Sequence, residues 1–195
     1  MGEARNRAAV YQRAKDKLLE EVTGDARVVA ETAIRLFEGY VLPQRYTGGC
    51  YLTTMTLHWF LQHERGIITE PVVGYVNDAT DDIMISHAWL EHDGLKVDLT
   101  LHLTDGFSTG ALLVLDHVLR PGRLVYTYHR ERTPAGIAQD RVMMRDPEIA
   151  PVLRHKQAEH QTMSGIARDS KRLGDYLAVA PAQMSYDVLA KAMRG

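Results

Sequence analysis

Cys50 is the only cysteine of the chain; it follows Gly48-Gly49 and opens a helix-like run to His63. Further on, His87-Ala88-Trp89 begins a strand that folds back at Asp93-Gly94 and delivers Asp98. A thiol, an imidazole and a carboxylate in this order suit nucleophilic acyl chemistry. Unpaired N–H groups and the positive end of the macrodipole favour a thiolate at a helix N-terminus. A neighbouring His takes and returns the proton, and a carboxylate fixes the His tautomer. The Cys50 N–H is the expected donor to an oxyanion, with Gly49 leaving the backbone open beside it.

The elements must hold these groups in register. A two-residue turn at Asp93-Gly94 pairs His92 with Leu95, Trp89 with Asp98 and His87 with Thr100. His87 and Asp98 then share one face, diagonal to each other, at roughly 5.5 to 8 Å. Ala88, Leu90, Val97 and Leu99 fall on the other face and are apolar. A three-residue turn would separate His87 from Asp98. The Cys50 helix is apolar nearly all round, through Tyr51, Leu52, Met55, Leu57, Trp59, Phe60 and Leu61, so it is expected at the centre. Trp89 reads as a packing residue or as the rim of the site.

Around this centre, Ala8, Tyr11, Ala14, Leu18 and Val22 predict a first helix over about Glu3 to Val22. Gly24-Asp25 ends it and caps a second, which Pro43 stops; Tyr46 to Gly49 is a loop. Strands are expected at Val72 to Val76, Ile83 to His92, Leu95 to Leu103, Leu112 to Leu119 and Leu124 to His129, the last two separated by Pro121-Gly122. Asn77 to Asp82 is an acidic loop bordering the cleft. Asp146-Pro147 starts a helix running to about Arg172, and a last one starts at Ser185. The order is helices, an antiparallel meander, then helices, which is α+β. One domain over 1–195 is expected, with N-terminal helices in 1–45, the catalytic helix and sheet in 46–130, and C-terminal helices in 143–195.

Bulk properties exclude several classes. The formal charge of −2 gives no drive toward nucleic acid or an anionic membrane. Between Arg120 and Arg172 eleven Arg or Lys face six Asp or Glu, which reads as a solvated helical face. A single Cys forms no intrachain disulfide. Met1 to Leu18 is charged with no apolar block, so no signal peptide is expected, and no apolar run reaches the roughly 20 residues of a membrane span. Location in the cytoplasm is the expectation. His58 lies too far along the helix to activate Cys50. His58/His63 and His155/His160 are spaced i, i+5 and point apart. His87, Asp98 and His102 could in principle share a metal, but no further ligands stand at a typical spacing.

Gly48 to Thr100, with Gly-Gly-Cys opening a helix, then His-Ala-Trp-Leu-Glu and Val-Asp-Leu-Thr, resembles the transglutaminase-like branch of the papain-like cysteine enzymes. The match covers little more than a quarter of the chain. It implies a papain-like fold, a buried Cys-bearing helix on an antiparallel sheet, with extra N- and C-terminal helices. It also implies a Cys50-His87-Asp98 triad with no metal or organic cofactor, and a peptide or protein substrate. Family members hydrolyse, deamidate or transamidate, as thiol proteases or acyltransferases. Gln44 stands six residues before Cys50, where such enzymes often carry an oxyanion-hole Gln. The Arg-Gly-Gly-x-Cys pattern of the arylamine N-acetyltransferases is not met. The rival expectation is a protein-binding module with a degenerate site.

Overall fold

The three- and four-residue apolar spacing of the N-terminal segment is realised as helix α1 (Gly2–Glu21), followed by α2 (Gly24–Leu36). Thr23 occupies the N-cap position of α2, one residue before the expected Gly24-Asp25. The helix then passes into a π-helical turn, Phe37–Val41, where the Leu42 N–H donates to Phe37 O at 2.8 Å. This computed structural model describes residues 2–44, 49–100, 112–120 and 125–194, with side chains from Asn6 onward.

Helix α3 (Cys50–Arg65) ends where Gly66 takes φ +69, a left-handed turn that a Cβ would strain. Met55, Leu57, Phe60 and Leu61 are essentially fully buried. Each such side chain contributes about 1.5–3 kcal/mol through burial. Helix α3 packs on the sheet on one side and on α2 and the C-terminal helices on others, which fits its lack of a polar face.

The sheet is antiparallel, in the order β5-β4-β3-β2-β1-β6. Its strands are β1 (Glu70–Asn77), β2 (Ile85–His92), β3 (Leu95–Asp98), β4 (Leu112–Val114), β5 (His117–Arg120) and β6 (Thr127–His129). The β2–β3 hairpin has Leu90 opposite Val97 and His92 opposite Leu95, around Asp93 (φ 50) and Gly94 (φ 78). Two positive φ angles make the two-residue turn whose twist matches the strands. Val73, Ala88, Leu90, Val97 and Leu99 thereby enter the core shared with α3. His87 and Asp98, of the other alternation, are buried as well.

Helices α4 (Pro134–Met143), α5 (Ile149–Ala167), α6 (Ser170–Ala178) and α7 (Tyr186–Arg194) complete the described chain, a mixed α+β architecture with one curled sheet. Four sequence expectations need correction. Leu112 to Leu119 is a hairpin, because Leu115 and Asp116 both take positive φ and turn the chain. Helix α4 was not expected, although Thr133 caps it by accepting the Gly136 N–H and Pro134 opens it. The helix expected to reach Arg172 breaks at Arg168-Asp169, where the Asp169 carboxylate caps α6. The strand expected over Leu95 to Leu103 ends at Asp98, with Leu99 and Thr100 already outside it; Leu101 to Leu103, Pro121-Gly122, and Tyr46 to Gly48 lie outside the described residues. Among the described residues no helix is long and apolar enough to cross a membrane.

Candidate active site

Gly49 is the N-cap of α3, and with no side chain it offers the helix no capping oxygen. Thr53 turns inward, its N–H donating to Gly49 O at 3.0 Å and its hydroxyl at 2.8 Å. The first-turn amides therefore receive no capping bond from the N-cap residue. Cys50 begins this turn, 5% exposed.

His87 and Asp98, 0% and 1% exposed, meet at 2.5 Å between Nε2 and Oδ2. Tyr128 donates its hydroxyl to the same Oδ2 at 2.9 Å, and the Thr100 N–H donates to Oδ1 at 2.9 Å. Burial disfavours the Asp98 carboxylate, but the His87 charge and hydrogen bond, with those of Thr100 and Tyr128, outweigh it and hold the pKa below its ordinary value. Burial likewise pushes the His87 imidazole down. The Asp98 charge and hydrogen bond, with smaller contributions from Cys50, reverse this and raise it to about 10.

Because an ionised carboxylate only accepts, Nε2 carries the hydrogen on the Asp98 side. The other nitrogen, Nδ1, is buried and makes no hydrogen bond of ordinary geometry. Cys50 is the polar group beside the ring, close enough to act on its charge. Buried polar atoms are seldom left unpaired; among the described residues His87 Nδ1 is one of three such side-chain atoms, with Thr56 Oγ1 and Arg132 Nε, and it lies beside a thiol.

Tyr128 shows how the sheet closes over the pair. Strand β6 is separated from β3 by β1 and β2, three strand spacings or about 14 Å in a flat sheet. Contact between Tyr128 and Asp98 requires the sheet to curl. Trp89 fills the curl: it is fully buried, edge-on to Tyr128 at 5.1 Å, and its Nε1 donates to Glu91 at 2.8 Å. Gly74 makes room for it, since a Cβ there would stand 2.5 Å from the Trp89 ring. Trp89 thus acts on the site through packing, with no surface to offer a substrate.

Gln44 is exposed on the turn after the π-helical segment, its N–H donating to Tyr40 O at 3.1 Å. The structure does not bring its side chain to the triad. In the acidic loop, Asn77, Asp78 and Asp81 accept hydrogen bonds from Ala79, Thr80 and Ile83 N–H groups, so these side chains organise their own turns. His102 lies outside the described residues, and among those described no cluster of His, Cys, Asp or Glu could hold a metal ion. A cavity of about 230 Å³ opens at the first turn of α3, lined by Gly49, Tyr51, Leu52, Glu159, Tyr176 and Met184, among others, with Cys50 and His87 outside its lining.

Sequence reasoning missed Tyr128, whose role depends on curl, and His160. The latter reaches Ser86 Oγ through Nδ1 at 2.6 Å. No family model, curated protein or solved structure matches this chain.

Proposed function

We propose that this chain is a transglutaminase-like, papain-like cysteine enzyme that transfers acyl groups from a peptide or protein amide through a thioester. The observation that carries the reading is the unpaired Nδ1 of His87 beside Cys50, with Nε2 locked on Asp98. In the resting pair the proton already sits on Nδ1 of the charged His87 and Cys50 is the thiolate, whose sulfur adds to the carbonyl carbon. The oxyanion is met by first-turn amides of α3, Cys50 N–H first. Collapse breaks the C–N bond while His87 returns the proton to the leaving amine. Water or an amine, deprotonated by His87, then attacks the thioester and releases the Cys50 thiolate. A raised imidazole pKa suits a ring that must hold the proton until the amine leaves.

The test is reaction of Cys50 with iodoacetamide at pH 7, together with acylation by p-nitrophenyl acetate followed by mass spectrometry. The wild type is expected to react at least about tenfold faster than the His87→Ala variant and to form an acyl adduct. Equal, slow rates with no adduct would favour the non-catalytic binding module.

A further inference from the structure

The triad leaves unexplained a second polar chain one residue away. Cys50 and Tyr51 are consecutive on α3, and Ser86 and His87 are consecutive on β2. The Tyr51 hydroxyl stands 2.7 Å from Ser86 Oγ, so it forms a second rung beside the Cys50–His87 approach. Ser86 Oγ also stands 2.6 Å from Nδ1 of His160, on α5.

We propose that Tyr51, Ser86 and His160 are positioning residues that hold the first turn of α3 against the His87 strand and so set the approach of Cys50 to His87. The inference rests on the functional reading above. Helix α3 meets β2 mainly through apolar side chains, and such contacts are non-directional and tolerate small slides. A reacting pair does not, since displacement of about 1 Å can cost about a hundredfold in rate. A hydrogen-bonded rung fixes what apolar packing leaves free.

The third member is itself fixed. The His160 ring stacks on Tyr75 at 4.3 Å and 20°, and Tyr75 faces Ser86 in the β1–β2 ladder. Arg132 lies over the same Tyr75 ring at 4.9 Å and is ion-paired with Asp140. Burial, followed by the charges of Arg132 and Arg168, lowers the His160 pKa, so the ring is neutral at neutral pH. With the hydrogen of the neutral ring on Nε2, a chain in which Tyr51 donates to Ser86 and Ser86 to Nδ1 uses each hydroxyl proton once.

The experiment measures iodoacetamide alkylation of Cys50 from pH 5 to 9 in the wild type and in Ser86→Ala, Ser86→Thr, Tyr51→Phe and His160→Ala, with thermal melting of each. Ser86→Ala, Tyr51→Phe and His160→Ala are expected to slow alkylation about tenfold at pH 7, with melting temperatures near the wild type. Ser86→Thr restores the hydroxyl and is expected to stay within about twofold of the wild type. Tyr51→Phe keeps the ring and its packing, so it reads the hydroxyl alone if Ser86→Ala unfolds. A rate that depends on His87 but is unchanged by Ser86→Ala and Tyr51→Phe overturns the positioning role and leaves the functional reading intact. So does a Ser86→Thr variant as slow as Ser86→Ala. A wild-type rate indifferent to His87→Ala overturns both.

Discussion

His87 donates from Nε2 to Asp98 Oδ2 at 2.5 Å across a hairpin, in an interior that excludes both residues from water. A pair buried this deeply is stabilising only while both members are charged, and Asp98 meets that condition through His87, Thr100 and Tyr128 together.

The first consequence is a pH window. His87 is raised from 6.5 to about 10 in the folded chain, so its contribution is complete below pH 6.5 and is lost as pH rises through about 10. Wild type and Asp98→Asn should differ most in urea stability near pH 6, and the gap should close by pH 10. NMR of the His87 ring should show it charged at pH 8 in the wild type and neutral in Asp98→Asn. A neutral wild-type ring at pH 8 would remove the ion pair.

Asp98→Asn should also cut acyl transfer by about 10³–10⁴-fold, as a carboxylate that fixes an imidazole tautomer does elsewhere. Steady-state turnover of an ester substrate measures this. An unchanged rate would leave Asp98 as a structural acid.

Cys50→Ser should keep the fold, because oxygen nearly matches sulfur in shape, while acyl-enzyme formation with p-nitrophenyl acetate disappears. Circular dichroism and intact-protein mass spectrometry read the two properties separately. An acyl adduct that persists in the variant would place the nucleophile elsewhere.

Tyr128→Phe removes one donor from Asp98 and should cost about 1.5–3 kcal/mol, the range for hydrogen bonds to charged groups. The Asp98 pKa is depressed in the native chain, so its contribution is present above the ordinary carboxylate range and lost as pH falls through the depressed value. In Tyr128→Phe that loss should begin at higher pH. Acid denaturation midpoints of the two proteins compare them directly; identical midpoints would leave the Tyr128 bond without energetic weight.

Gly74→Ala should destabilise by about 1–3 kcal/mol or more, because the new Cβ would stand 2.5 Å from both His129 O and the Trp89 ring. Thermal unfolding measures the cost. An unchanged melting temperature would show that β1 can move away from Trp89.

Local signals in the sequence determined much of the framework of the site. Asp93-Gly94 permits two positive φ angles, and that turn fixes a register in which His87 and Asp98 share a face. Gly49 before Cys50, with Gly66 after Arg65, marks both ends of α3. Each of these depends on residues close together in the chain. Thr133-Pro134 before α4 and Asp169 before α6 carry the same kind of local signal.

Tertiary structure decided what has no local cause. Positive φ at Leu115, a residue that disfavours it, and at Asp116, which tolerates it, splits an apolar run into β4 and β5. Curl of the sheet brings Tyr128 from the outer strand to Asp98, and it depends on Gly74 and Trp89 packing across two strands. His160 comes to Ser86 only because α5 packs on β1, 74 residues from Ser86 in the chain. Sequence spacing along α5 relates His160 to His155, whereas its hydrogen bond is set by the packing of one element on another, which periodicity within an element does not encode.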